Sequence, residues 1–288
     1  IFGSYYIVNT MIIEHLVGTG KDEFALPRRQ NHRLYQTPDQ VQLFYVTHKT
    51  IPNPYQAELD LIDKHKKEVI EAIPDNSNII GLCTGISSIE SLFLEEGLRQ
   101  GKIFSYCVIE QNLDALVASE EALRQYHPIL INDDMFDVSL PRLKRNQETK
   151  NHVLFLSYTF GNFVLDEMLS YFDGNLTRGD CLYVSMQLAR NAEEVEKEIM
   201  PGYVTPEYQA WLKYGLLRDG FKDEHLSYFA RISEAYGIPV IELGFELKGV
   251  PDGSKDFHPG NGIVLLHTAK PNLEGLVHMF NDSYNTRP

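Results

Sequence analysis

Residues 78–110 read NIIGLCTGISSIESLFLEEGLRQGKIFSYCVIE, and this stretch decides the fold. Its first part, NIIGLCTG (78–85), is an apolar run ending on glycine, the pattern of a buried strand and its turn. SSIESLFLEEGLRQG (87–101) has helical spacing and closes on Gly101. IFSYCVIE (103–110) is a second strand, ending on an acid. Strand, glycine turn, helix, strand is the unit of a parallel sheet buried on both faces.

The rhythm continues downstream. NLDALVASEEALRQY (112–126) reads as an N-capped helix, and PILINDD (128–134) as a strand ending on two acids. HVLFLSYTF (152–160) and CLYVSMQLA (181–189) are the fourth and fifth strands. Upstream, residues 53–73 carry apolar positions at helical spacing, with Asn53 as N-cap and Pro54 as first helical residue. Residues 1–50 are polar and turn-rich and read as irregular. Past residue 190, NAEEVEKEIM (191–200) predicts a short charged helix. TPEYQAWLKYGLL (205–217) predicts a helix capped by Thr205, and DEHLSYFARISEAY (223–236) a further helix. The runs 238–247 and 262–270 predict an antiparallel hairpin at the far edge of the sheet. The fold class is therefore α/β, with a mostly parallel sheet.

Composition bounds the function. A chain of 288 residues buries a sizeable core without staples, and its formal net charge of −14 disfavours phosphate backbones, so no nucleic-acid partner is expected. The densest basic run, residues 140–150, holds four Lys/Arg and does not offset that charge. Cys83, Cys107 and Cys181 form no metal-ligand spacing and read as reduced core cysteines. No metal, no membrane span and no signal peptide are expected, which makes the expected location cytoplasmic.

In an open α/β sheet, ligands bind at the carboxyl ends of the strands. The first strand end supplies Gly81, Cys83, Thr84 and Gly85, where glycine lets a backbone approach a ligand closely. The second supplies Glu110, an acid placed to accept both hydroxyls of a ribose. Asp133, Asp134 and Met135 at the third suit an adenine amino group beside an apolar face. Tyr158 and Thr159 close the fourth, followed by Gly161, Asn162 and Phe163. The order suits a nucleoside, while the lack of GxGxxG disfavours a dinucleotide and the lack of GxxxxGK[ST] excludes a P-loop.

Three segments carry a resemblance to the histidine-specific N-methyltransferase family of ergothioneine biosynthesis. FLSYTFGNF (155–163) is similar to the family's T-I-G-N-F segment after the fourth strand. RLYQTPDQVQLFYVTHKTIPNPYQAEL (33–59) resembles its N-terminal stretch, and YVTPEYQAWL (203–212) the entry to its substrate lobe. The resemblance spans roughly residues 30–270. It implies a class I methyltransferase with S-adenosylmethionine as cofactor and a smaller α/β substrate lobe. The lobe would take residues 1–52 and 191–237, the cofactor core 53–190, and the final strands 238–288. It also implies that Asn162 holds the head of a small amine or amino-acid substrate, with Tyr35 as its catalytic partner. Tyr35, Tyr55, Phe163, Tyr203 and Thr268 would line the acceptor site.

Two departures from the family pattern stand out. The glycine loop is Gly81-Leu82-Cys83-Thr84-Gly85 with Ser87 in the place of a basic residue. Leu266-His267-Thr268 stands where the family reads an imidazole with E-I-S, so Leu replaces Glu and histidine is not the expected acceptor. The altered loop leaves open a catalytically silent cofactor-binding or partner-binding protein on the same fold. A nicotinamide-dependent oxidoreductase is a third reading.

Overall fold

The structure is a computed structural model that describes residues 12–20, 22–35, 37–50, 54–85, 89–156, 159–252 and 256–284. The side chains of residues 45, 48–50, 54, 55 and 281–284 are outside that description. Asn53, Ser87 and Tyr158 lie outside the described residues, as does the side chain of Tyr55.

The N-terminal region is not irregular. It contains strands β1 (Val17–Gly18) and β2 (Glu23–Ala25), a 3-10 segment (Arg28–Tyr35) and helix α1 (Pro38–Thr50), followed by α2 (Pro54–Ala72). Polar composition hid these elements because they take their order from tertiary neighbours. Val264 of a distant strand pairs with Ala25, and Trp211 Nε1 donates to Leu34 O at 3.2 Å.

The expected alternation follows: β3 (Ser77–Leu82), α3 (Glu90–Arg99), β4 (Phe104–Ile109), α4 (Leu113–Leu123), β5 (Ile129–Ile131), β6 (Asn151–Phe155), α5 (Leu165–Asn175) and β7 (Cys181–Val184). All five strands are parallel, in the order β5-β4-β3-β6-β7. The first strand of the set lies at the centre, and the chain crosses from one half to the other between β3 and β6. That is the topological switch point, where an open α/β sheet forms its ligand crevice. Apolar clusters cover both faces, one around Ile79, Tyr106, Val108 and Leu154, the other around Ile80, Ile109, Val153 and Phe155. Asn112 caps α4 by accepting from Ala115 N at 2.9 Å.

Beyond β7 come α6 (Ala192–Glu194), which runs into a π turn, then α7 (Pro206–Arg218), β8 (Leu226–Ala235), β9 (Ile238–Leu247), β10 (Gly262–Ala269) and α8 (Leu273–Tyr284). Thr205 caps α7 as expected, accepting from Tyr208 N at 3.3 Å. Residues 226–235 are a strand and not the expected helix. Leu226, Tyr228, Ala230 and Ile232 pack against one core with a period of two. Tyr236 (φ 56°) and Gly237 (φ 74°) then form a two-residue turn that pairs Ala235 with Ile238. The acidic opening that suggested a helix start is only a 3-10 turn, Asp223–His225.

The hairpin β9–β10 is antiparallel as expected, but it does not extend the parallel sheet. It belongs to a second sheet, ordered β1-β2-β10-β9-β8. β2 from the N-terminal segment pairs parallel to β10, so the two ends of the sequence share one sheet. Its core packs α7 against Leu243, Phe245, Ile263 and Leu265 through Trp211, Leu212 and Leu216. Of the three cysteines only Cys107 is fully buried; Cys83 is half-buried and Cys181 is exposed, which corrects the reading of all three as core residues. Among the described residues, no helix is long and apolar enough to cross a membrane.

Candidate functional site

The loop after β3 is held by the acid at the end of β4. Glu110 Oε2 accepts from Gly85 N at 3.2 Å, and its Oε1 accepts from Asn112 N at 2.8 Å. Burial pushes the Glu110 carboxyl up from the ordinary range, against the opposing pull of the backbone amides of Asn112, Gly85 and Gln111. Cys83 (φ 51°) and Gly85 (φ 57°) both take left-handed backbone. The Cys83 thiol lies 3.8 Å from Met135 Sδ, and burial raises its pKa well above the ordinary value, helped by Glu110 and Asp134. Thr84 is buried, and its hydroxyl has no hydrogen-bond partner among the described residues.

Gly81 is needed for a reason other than ligand approach. A Cβ there would come within 2.5 Å of Thr84 Cγ2 and 2.6 Å of Tyr106 Oη. The missing side chain makes room for Tyr106 beneath the loop. At the end of β5, Asp134 caps a 3-10 turn by accepting from Phe136 N at 3.0 Å, and Met135 is buried. Burial also pushes the Asp134 carboxyl up. Asp133 is exposed, and its carboxylate accepts from Asp134 N at 2.9 Å.

Beyond β6, Thr159–Asn162 form a 3-10 turn, so the expected strand ends early. α5 starts from Val164 without a side-chain cap, so Asn162 is not a helix cap. Its backbone carbonyl accepts from Asn31 Nδ2 at 3.1 Å, and the carbonyl of Phe163 accepts from Arg28 Nη1 at 2.9 Å. The Asn162 side chain makes no hydrogen bond among the described residues. The N-terminal 3-10 segment thus clamps the turn by its backbone and leaves the amide uncommitted.

Gly161 is fixed by packing. A Cβ there would lie 2.9 Å from Ala269 O, 3.0 Å from Met186 Cε and 3.5 Å from Thr268 Oγ1. The turn therefore abuts the end of β10, and here the two sheets meet. Thr268 is buried, and its hydroxyl accepts from Lys270 Nζ at 3.0 Å.

The expected aromatic wall is partly assembled. Tyr35 packs on Trp211 (5.4 Å between centroids), Trp211 on Tyr208 (5.2 Å) and Tyr208 on Tyr203 (5.1 Å). Tyr35 and Tyr203 thus belong to one row of rings, with Phe44 packed on Tyr35 at 4.9 Å, while the links Trp211 and Tyr208 were not expected. Their spacing of three on α7 is the signal that marks them as neighbours. Phe163 is not in the row. Its ring is buried against Phe136 and Phe155 in the core of the parallel sheet. The Tyr35 carbonyl accepts from Asn112 Nδ2, which ties the row's first member to the cap of α4. Lys270, Asn31 and Arg28 were also missed, since polar residues in a turn or after an apolar run carry no period.

A family model described as histidine-specific methyltransferase, SAM-dependent, matches residues 42–198, more than half of the chain. No match was found among curated proteins. Among solved structures, an S-adenosylmethionine-dependent methyltransferase from Clostridium acetobutylicum is 12% identical, with 80% of each chain covered and a TM-score of 0.40. A SAM-bound amino pentose methyltransferase from Micromonospora echinaspora is 13% identical over 78% of this chain and 81% of its own, at 0.39. A zinc-dependent alcohol dehydrogenase homologue from Rhodobacter sphaeroides is 16% identical over 90% and 88%, at 0.46. These likenesses are weak, and the assignment rests on the family match. The strand-end residues are compatible with the family's cofactor: the Thr84 hydroxyl lacks a partner among the described residues, Cys83 and Gly85 take left-handed backbone, and the Glu110 carboxylate stands at the end of β4. On the family match over residues 42–198, the chain belongs to the histidine-specific, S-adenosylmethionine-dependent methyltransferases.

Proposed function

We propose that the chain N-methylates a small amine or amino acid, with Asn162 holding the polar head of the acceptor. The observation that carries this reading is the uncommitted Asn162 amide at the switch-point end of β6. Asn162 is half-buried, and its amide is left available to a ligand. Bound S-adenosylmethionine supplies an electrophilic methyl carbon on a sulfonium. In our reading, Gly85, Glu110, Asp134 and Met135 hold its nucleoside, with Gly81, Cys83, Thr84, Asp133 and Thr159 around them. Asn162 orients the acceptor so that a neutral nitrogen lone pair faces the methyl, and positioning of this kind supplies about 7–11 kcal/mol of a barrier. The row Tyr35–Trp211–Tyr208–Tyr203 keeps water out and favours a methylated ammonium by cation–π contact, about 0.5–2 kcal/mol per ring. Tyr35 is the proposed catalytic partner of Asn162, and Tyr203 and Thr268 line the far side.

The acceptor is not free histidine in this reading. Leu266, Thr268 and Lys270 alternate along the end of β10, and Leu266 is buried in the apolar core of the second sheet. An imidazole N–H facing that leucine loses a partner, a cost of about 1–3 kcal/mol. The test is mass spectrometry of the protein with S-adenosylmethionine and a panel of amines and amino acids, histidine included. Methylation on nitrogen, with histidine slower than the preferred acceptor by about ten-fold or more, is expected. Transfer only to oxygen or carbon, or efficient histidine methylation, contradicts it.

A further inference from the structure

Asn112 lies just past β4 and opens α4 with an extended backbone (φ −81°, ψ 114°). Three of its polar groups are used in three different places. Oδ1 caps the helix by accepting from Ala115 N at 2.9 Å. The backbone N donates to Glu110 Oε1 at 2.8 Å. Nδ2 donates to the carbonyl of Tyr35, 77 residues earlier in the chain. The turn before Asn112 is held as well, because Asn132 Nδ2 donates to the carbonyls of Glu110 and Gln111, each at 3.0 Å. Ser119, fully buried in α4, donates to Gly85 O at 2.7 Å, while Gly85 N donates to Glu110 Oε2. The start of α4, the acid and the glycine loop are thereby tied into one body.

Capping alone does not call for asparagine. Ser, Thr and Asp also cap well, because a cap needs only an acceptor. Among these residues only Asn carries its acceptor and its donors on separate atoms, so only Asn caps a helix and donates sideways at once. The group it donates to is the last residue of the 3-10 segment Arg28–Tyr35. Nearer its start, the same segment donates from Arg28 and Asn31 to the carbonyls of Phe163 and Asn162, after β6. β4 and β6 flank β3 in the sheet. The segment is therefore pinned on both sides of the switch-point crevice, and Asn112 is the pin on the side of Glu110.

We propose that Asn112 is a positioning residue for methyl transfer: its amide fixes the Tyr35 end of this segment, and the ring row built on it, against the loop and acid that seat the cofactor. This rests on the reading of Tyr35 as part of the acceptor site. Neither the cap nor the bond to Glu110 uses Nδ2. Loss of Nδ2 therefore leaves the cofactor in place and lets the rings drift from the methyl group. Trp211, the single tryptophan of the chain, reports such a drift. Its ring packs on Tyr35 at 5.4 Å, and its Nε1 donates to Leu34 O at 3.2 Å.

The test compares two variants of the full chain. Asn112→Ser keeps a cap and the backbone N–H, and Asn112→Ala keeps only the N–H. Asn112→Ser is expected to melt with wild type, and Asn112→Ala a few degrees lower. Calorimetry should give Asn112→Ser an S-adenosylhomocysteine affinity within about two-fold of wild type. With S-adenosylhomocysteine saturating, Trp211 emission should be red-shifted and more readily quenched by acrylamide in both variants. In assays with the panel of amines and amino acids, kcat/KM for the acceptor should fall about three- to ten-fold in both, with KM for S-adenosylmethionine unchanged. A loss of turnover in Asn112→Ala that is absent in Asn112→Ser makes the residue a cap only and overturns the proposal. Trp211 emission equal to that of wild type, or a loss of S-adenosylhomocysteine affinity that matches the loss of turnover, overturns it too. Failure of the underlying reading looks different: shifted Trp211 emission with full turnover in both variants places Tyr35 outside the acceptor site. If Asn112→Ser does not fold, Asn112→Thr carries the same comparison.

Discussion

At the end of β4, Glu110 accepts two backbone N–H groups while buried at 8% exposure. Its carboxylate oxygens retain further lone pairs, so the same group can hold the loop and accept ribose hydroxyls. Glu110→Gln removes the charge without the volume. Hydrogen bonds to charged groups are worth about 1.5–3 kcal/mol, so S-adenosylmethionine affinity is expected to fall about ten-fold or more. The fold should survive, because neutral Gln escapes the desolvation that raises the Glu110 pKa. Calorimetry and a thermal melt on one variant check both statements. Asn162 separates two roles more sharply. Because α5 begins at Val164 without a side-chain cap, Asn162→Ala should leave the unfolding free energy within about 0.5 kcal/mol of wild type. Cofactor binding should be unchanged and kcat/KM down by about ten-fold or more. A destabilised variant with full turnover would contradict the assignment. Asn162 was legible because a T-x-G-N-F segment is local. That its amide is uncommitted was not, because Asn31 and Arg28, which bind the adjacent carbonyls, are about 130 residues away in sequence.

The first residue of α3 sets a pH dependence for the cofactor half. Glu90 is 1% exposed, and neither of its carboxylate oxygens has a partner among the described residues. Burial, reinforced by the nearby Glu58 and Glu110 carboxylates, raises its pKa from 4.5 to about 8. A raised acid is protonated in the folded chain where the unfolded chain has already lost its proton. The contribution is therefore fully present below pH 4.5 and is lost as pH rises to about 8. Glu90→Gln should flatten that decline, raise the melting temperature at pH 8 by several degrees and leave it nearly unchanged at pH 4.5. Urea titrations at both pH values check this, and a variant less stable at pH 8 would contradict it. At the same scale, strands β3 to β7 were legible because sheets buried on both faces need continuous apolar runs. β8 was misread because its outward face carries Phe229 as well as Arg231, which blurs the alternation that distinguishes a strand from a helix.

Across the whole molecule, the two sheets meet where Gly161 lies against the Ala269 carbonyl. Gly161→Ala adds a Cβ 2.9 Å from a backbone atom that cannot swing aside, although Met186 Cε, at 3.0 Å, can. Overpacking of this kind costs about 1–3 kcal/mol. The expected outcome is a lower urea midpoint, together with a loss of turnover larger than the unfolded fraction explains, because the strain falls between Asn162 and Thr268. Equal activity per folded molecule would place the acceptor site elsewhere. By itself, the sequence determined the mostly parallel sheet and the acids at its strand ends, because strand, turn and helix signals are local and repeat within a few residues. Only the tertiary structure decided that the last hairpin builds a second sheet with the N-terminal strand. It also decided that Tyr35 and Tyr203 join through Trp211 and Tyr208, and that Lys270 donates to the Tyr203 and Thr268 hydroxyls. Those contacts join segments up to about 240 residues apart, such as Glu23 and Gly262, and pairing at that range is set by which apolar faces remain uncovered after the local elements have formed.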